Sequence, residues 1–127
     1  MIQKGSFLNI IDNSGAREVA CIRINASCKR RYAYLGENII VSIKSLRTKR
    51  RHFSKVKKGE IYNALIVRLK THKKDFFSNS FLCLSNSAIL LSKKNKLIGT
   101  RIFGTIPKTF RYTKYMRILS LSAGAAL

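Results

Sequence analysis

The sequence is short of acid. Its 127 residues hold 26 lysines and arginines against five aspartates and glutamates, a formal charge of +21. The five carboxylates, Asp12, Glu18, Glu37, Glu60 and Asp75, stand singly, so no spacing marks a general acid–base pair. No G-x-S-x-G elbow, P-loop or His-rich metal helix occurs. The two histidines, His52 and His72, sit in basic surroundings that disfavour the imidazolium. An enzyme is not expected, and no cofactor is implied.

Cysteine is scarce as well. Cys21, Cys28 and Cys83 form no C-x-x-C pair, so the paired spacing of a structural zinc site is missing. An odd count argues against a disulfide scaffold and for a reducing compartment. No segment reaches the roughly 18 consecutive apolar residues that mark a spanning helix. The chain opens with neither a charged-then-apolar secretory signal nor an Arg- and Ser-rich transit segment. The expectation is either a product made in the compartment where it works or a sequence that is already the mature form.

What is present is positive charge, unevenly placed. Residues 1–22 balance Lys4 and Arg17 against Asp12 and Glu18, and everything from Arg23 onward carries the whole +21. A free protein so charged repels itself when compact. It calls for a polyanion, with RNA or DNA first and an anionic membrane second.

The fold reads as short strands within one domain. "SFLNI" ends in a turn cluster, Asp12-Asn13-Ser14-Gly15. "EVACIRI" puts Ala20, Ile22 and Ile24 on one face and Val19 and Cys21 on the other. "NIIVSIKSL" alternates Ile39, Val41 and Ile43 against Ile40, Ser42 and Lys44, and "IYNALIVRL" aligns Ile61, Leu65, Val67 and Leu69. "FLCL" and "AILL" are further short runs. Such strands between turns predict a small barrel or sandwich. Pro107 is placed to open a helix, and the spacing of Lys108, Arg111, Lys114 and Arg117 predicts one or two short amphipathic helices.

Three segments carry the binding chemistry. "SLRTKRRHFSKVKKG" at 45–59 holds seven basic residues and no acid: Arg47, Lys49, Arg50, Arg51, Lys55, Lys57 and Lys58. An import signal or a membrane patch would share this composition. Only Phe53 and Val56 interrupt the charge, which is poor in membrane anchors. Flanking strands would hold the run out as a loop able to reach several phosphates. "KRRYAYLG" at 29–36 joins Lys29, Arg30 and Arg31 to Tyr32 and Tyr34. The arginines can fork onto phosphates, and a tyrosine either stacks on an unpaired base or packs into the core. "LIGTRIFG" at 97–104 sets Arg101 between Gly99 and Gly104, which is either a site of close backbone approach or a plain hairpin end. Lys44 and Arg68, on the strands beside the first segment, complete the candidate RNA-contacting set.

"MIQ" at the start, "DNSGAR" at 12–17, "KRRYA" at 29–33, "KVKKGE" at 55–60, "ALIVR" at 64–68, "GTRIFG" at 99–104 and "ILSL" at 118–121 occur in the order and spacing of one family. Over essentially its whole length the chain resembles the bacterial-type family of ribosomal protein fourteen of the large subunit. The resemblance implies a closed five-stranded barrel with a projecting basic ribbon and short C-terminal helices, and no enzymatic activity. It implies binding to large-subunit rRNA on the face that meets the small subunit, and a bridge to small-subunit rRNA. It also implies contacts with ribosomal proteins three and nineteen and a surface for a silencing factor, with no membrane partner. Thr100, Arg101 and Arg117 match the family's subunit-facing positions, and Lys114 is grouped with them. The barrel is expected over about residues 1–104 and the helical segment over about 105–127.

The chain also departs from the family pattern. Residues 47–54 read as a local enlargement of the basic loop. Ser78-Asn79-Ser80 and Leu84 replace a turn and an aromatic, Lys108-Thr109-Phe110-Arg111 lacks an acid, and residues 122–127 end differently. Drift toward Lys, Asn, Ile and Phe suggests an AT-rich genome. The expectation is a mitochondrial ribosome, with a plastid or the cytoplasm of a reduced bacterium as the alternative.

Overall fold

The structure, a computed structural model, describes residues 1–25, 30–48, 53–70, 73–74, 80–81 and 83–124. Alternation of β-branched residues makes the strands, and the turn clusters separate them. The strands are β1 (Phe7–Ile10), β2 (Ala16–Ile24), β3 (Asn38–Leu46) and β4 (Ile61–Arg68), then β5 (Lys73–Lys74), β6 (Ser80–Phe81) and β7 (Ser87–Leu91). Last come β8 (Ile102–Thr105) and β9 (Ser122–Gly124). Strands β1, β2, β3, β4 and β7 close into a barrel in that order. Its neighbours are antiparallel except at the closure, where β1 runs parallel to β7 with Asn9 opposite Ser87. Closure leaves these five strands without a free edge. The chain is mainly β and forms the closed five-stranded barrel that the resemblance implied.

The two-residue period fills the barrel. Leu8, Ile10, Val19, Cys21, Ile39, Val41, Ile43, Ala64, Ile66, Ala88 and Leu90 all belong to one buried cluster. The expected face of β3 is therefore the interior face. β2 and β4 depart from simple alternation. A register shift between Cys21 and Arg23 turns Ile24 into the interior cluster, away from the face it shares in sequence with Ile22. A second shift between Ile66 and Arg68 does the same for Leu69. Ile61, aligned in sequence with the buried positions of β4, is 59 % exposed.

A second core lies outside the barrel. Leu65, Val67, Ile89 and Leu91 point outward from β4 and β7 and are covered by Ile102, Ile106, Phe110 and Ile118. β4 and β7 are thus buried on both faces, which explains their unbroken apolar runs. The covering segment follows Pro107, which caps a 3-10 helix (Lys108–Tyr112) in an extended conformation. Helix α1 (Arg117–Leu121) comes next, and the chain then returns as β9 to pair in parallel with β8. Five-residue helices are not stable alone. Burial of Phe110 and Ile118, on the order of 1.5–3 kcal/mol each, holds them.

Candidate nucleic-acid interface

The basic loop after β3 is founded on the turn at residues 12–15. Asp12 is buried, and its Oδ1 accepts from the Ser14 backbone N–H at 2.9 Å and from the Ser14 hydroxyl. Its Oδ2 accepts from the Leu90 N–H at 2.9 Å, which ties the turn to β7. Gly15 has φ of 101°, and a Cβ there would stand 2.6 Å from the Ser54 Cβ. The Gly15 carbonyl accepts from the Arg47 N–H and the Ser14 carbonyl from the Lys55 N–H, both at 2.9 Å. Both ends of the loop therefore hang on two adjacent residues. Just beyond, Val56 is buried in the barrel cluster, while Phe53 is 88 % exposed. Lys49, Arg50, Arg51 and His52 lie outside the described residues, as do Lys29, Cys28 and His72.

Lys57 and Lys58 stand exposed on a second turn, and this one is organised by an acid. The Glu60 carboxylate accepts from the Lys57 N–H at 3.0 Å and from the Tyr62 hydroxyl at 2.8 Å. The Lys57 N–H foremost, then the Tyr62 hydroxyl, hold the Glu60 carboxyl below its usual 4.5. Burial, then the bond to Glu60, pushes the Tyr62 phenol up. Gly59, at φ of 88°, closes the turn, and its N–H reaches the Ile43 carbonyl at 2.9 Å.

The aromatic–basic segment faces outward. Ala33 is buried and exchanges two backbone bonds with Ile2, at 2.7 and 3.0 Å. Its neighbours on either side consequently point to solvent, with Tyr32 37 % and Tyr34 38 % exposed. Neither tyrosine is a core residue. Arg31 is exposed, whereas Arg30 pairs with Glu37 at 2.7 Å. Glu37 also accepts from the Tyr34 N–H at 2.9 Å, so this ion pair shapes the bend.

Other candidate cations are bonded within the fold. Arg68 donates from Nε to the Thr105 carbonyl at 2.8 Å and from Nη2 to the Phe103 carbonyl at 2.6 Å. Arg47 donates to the Ile10 carbonyl at 2.9 Å, and its guanidinium lies 5.2 Å from the centre of the Phe103 ring. Lys55 reaches the Ile98 carbonyl at 3.2 Å. Lys44 is exposed on the outer face of β3.

The subunit-facing candidates partly converge. Thr100, Lys114 and Arg117 line one groove of ≈ 730 Å³ with Leu97, Ile118 and Leu121. Arg101 is exposed and does not line it. The Lys114 ammonium lies 5.4 Å from the Tyr115 ring centre, and the Tyr115 hydroxyl accepts from Asn38 Nδ2 at 2.7 Å. Sequence reasoning did not single out Asn13. Its Oδ1 accepts from the Thr100 N–H at 2.7 Å and the Arg101 N–H at 3.3 Å, and its Nδ2 donates to the Thr100 hydroxyl at 2.8 Å. The available signal was the pairing of "DNSG" with "GTR" in one chain, two motifs that prove to be in contact.

Cys21 and Cys83 are free and buried, and burial pushes both thiols up. Among the described residues no three His, Cys, Asp or Glu side chains gather as a metal site, and no helix is long and apolar enough to cross a membrane. The family model described as Ribosomal protein L14p/L23e matches residues 1–126. The chain therefore belongs to that family, a generally non-enzymatic structural constituent of the large ribosomal subunit that serves translation.

Proposed function

We propose that this chain is an rRNA-binding mount on the subunit-facing side of the large subunit. The observation that carries the reading is unpaired charge. The chain is formally +21, yet among the described residues two ion pairs form, Arg17 with Glu18 at 3.9 Å and Arg30 with Glu37 at 2.7 Å. RNA phosphates supply the missing anions. Arg31, Lys44, Lys57 and Lys58 are the proposed RNA donors from among the exposed basic residues, with Tyr32 available for stacking. Arg47 and Arg68 chiefly hold the fold, and Lys29, Lys49, Arg50 and Arg51 join the RNA set on the strength of sequence.

Thr100, Arg101, Lys114 and Arg117 form the bridge to small-subunit rRNA. The groove that three of them share is the docking place for a silencing factor, and ribosomal proteins three and nineteen are neighbours. Residues 1–127 act as one domain. The Lys-, Asn- and Ile-rich composition favours a mitochondrial ribosome over a plastid or bacterial one.

Sucrose-gradient sedimentation of organelle and whole-cell lysates tests this. Co-sedimentation with the large subunit of mitochondrial ribosomes is expected. Sedimentation with RNA away from ribosomes would make the chain a free RNA-binding module, and flotation with anionic vesicles would make it a membrane-surface protein.

A further inference from the structure

The turn at residues 12–15 touches two functional segments at once. Through the Ser14 and Gly15 carbonyls it holds both ends of the basic loop. Through the Asn13 side chain it holds residues 100 and 101, which lie outside any strand. Asn13 makes three bonds to that segment, and two backbone N–H groups converge on its single Oδ1. The approach is close on both sides: a Cβ on Gly99 would stand 2.7 Å from the Asp12 Cβ and 3.1 Å from Asn13 Oδ1. Asp12, anchored to β7 by Leu90, keeps the turn from moving as a body.

We infer that Asn13 is a positioning residue for the subunit-facing segment. It fixes the backbone of Thr100 and Arg101 so that their side chains meet the small subunit in one orientation, and Ser14 and Gly15 set the RNA loop separately. This rests on the proposed subunit-facing role. An exposed segment with no strand partner otherwise samples several conformations, and joining would require ordering it each time. The two bonding sets use different atoms, so the two duties can be separated by substitution.

The test compares three variants in assembled ribosomes. Asn13→Ala removes all three bonds. Asn13→Asp keeps the acceptor for both N–H groups and lets the Thr100 hydroxyl turn round to donate. Arg101→Glu checks the subunit-facing role itself. Asn13→Ala should leave the amount of large subunit unchanged and weaken its joining roughly tenfold, the order expected for a lost net hydrogen-bond contribution. Asn13→Asp should restore most of the joining.

Hydrogen exchange on the unmodified chain provides a measurement independent of folding in the variants. The Thr100 and Arg101 amides should be protected, and free-peptide exchange there would overturn the inference. Normal joining by Asn13→Ala while Arg101→Glu blocks it would also overturn it. Normal joining by both variants, with protection lost in Asn13→Ala, would instead overturn the subunit-facing reading and leave the clamp standing. If Asn13→Ala does not assemble, wild-type joining by Asn13→Asp with protected amides supports the clamp, and exposed amides with normal joining overturn it.

Discussion

The turn carrying Lys57 and Lys58 and the patch beneath β8 are both basic, yet they use charge in opposite ways. At the turn the ammonium groups stand in solvent, and the acid beside them, Glu60, bonds the backbone and Tyr62. Beneath β8 the guanidiniums of Arg47 and Arg68 are held by main-chain carbonyls and by the face of Phe103. In the first region the fold leaves charge exposed to solvent, open to the proposed RNA. In the second, charge stitches the covering segment to the barrel. Residue type follows the division: the planar, multi-donor guanidinium suits several fixed acceptors, and the point-like ammonium suits phosphates met in varied geometry.

Substitutions can break this contrast. The largest effect belongs to Arg68→Ala, which strips donors from the Phe103 and Thr105 carbonyls and loosens β8. A loss of about 2–3 kcal/mol is expected in urea unfolding, the scale of bonds to a charged group. Arg47→Ala, with one such bond and a cation–π contact, should cost about 1–2 kcal/mol in the same assay. Stability unchanged by either would remove the distinction between the two regions. Lys57→Gln and Lys58→Gln should each stay within about 0.5 kcal/mol of the parent in stability. Each should also lower the salt slope of rRNA binding by about 0.7–0.9 log units per log unit of salt.

The smallest effect is a pH dependence at Glu60. Its carboxyl lies below its ordinary 4.5 in the folded chain. Its contribution is therefore complete above that ordinary value and is lost as pH falls through the lowered one. Thermal melts of the parent and Glu60→Gln should differ near neutrality and converge in acid. A difference that grows toward acid would have the wrong sign.

Much of the barrel was legible because its cause is local. The alternation of Ile39, Val41 and Ile43, and the breakers between strands, follow from side-chain period and turn chemistry alone. The register shifts that turn Ile24 and Leu69 inward were not legible, because a bulge is fixed by the partner strand. Neither was the return of residues 122–124 to β8, since three small residues carry no strand signal of their own.

The candidate interface divides along the same line. Composition found the basic segments but left open whether Tyr32 and Tyr34 face outward, which the buried Ala33 between them decides. It did not distinguish Arg68 from Lys57, because the difference lies in carbonyls supplied by residues 103 and 105, far away in sequence. Asn13 was passed over for the same reason: in sequence it is one polar residue in a turn, and its partners lie 87 and 88 positions on.

The central claim is that exposed charge binds RNA and stitched charge holds the fold. Its most direct test is the salt dependence of binding to a large-subunit rRNA fragment by two double variants. Lys57→Gln/Lys58→Gln should flatten the slope by roughly 1.4–1.8, two phosphates' worth. Arg47→Gln/Arg68→Gln, measured where it remains folded, should leave the slope as in the parent. Equal flattening by both pairs, or none by the lysine pair, would contradict the account.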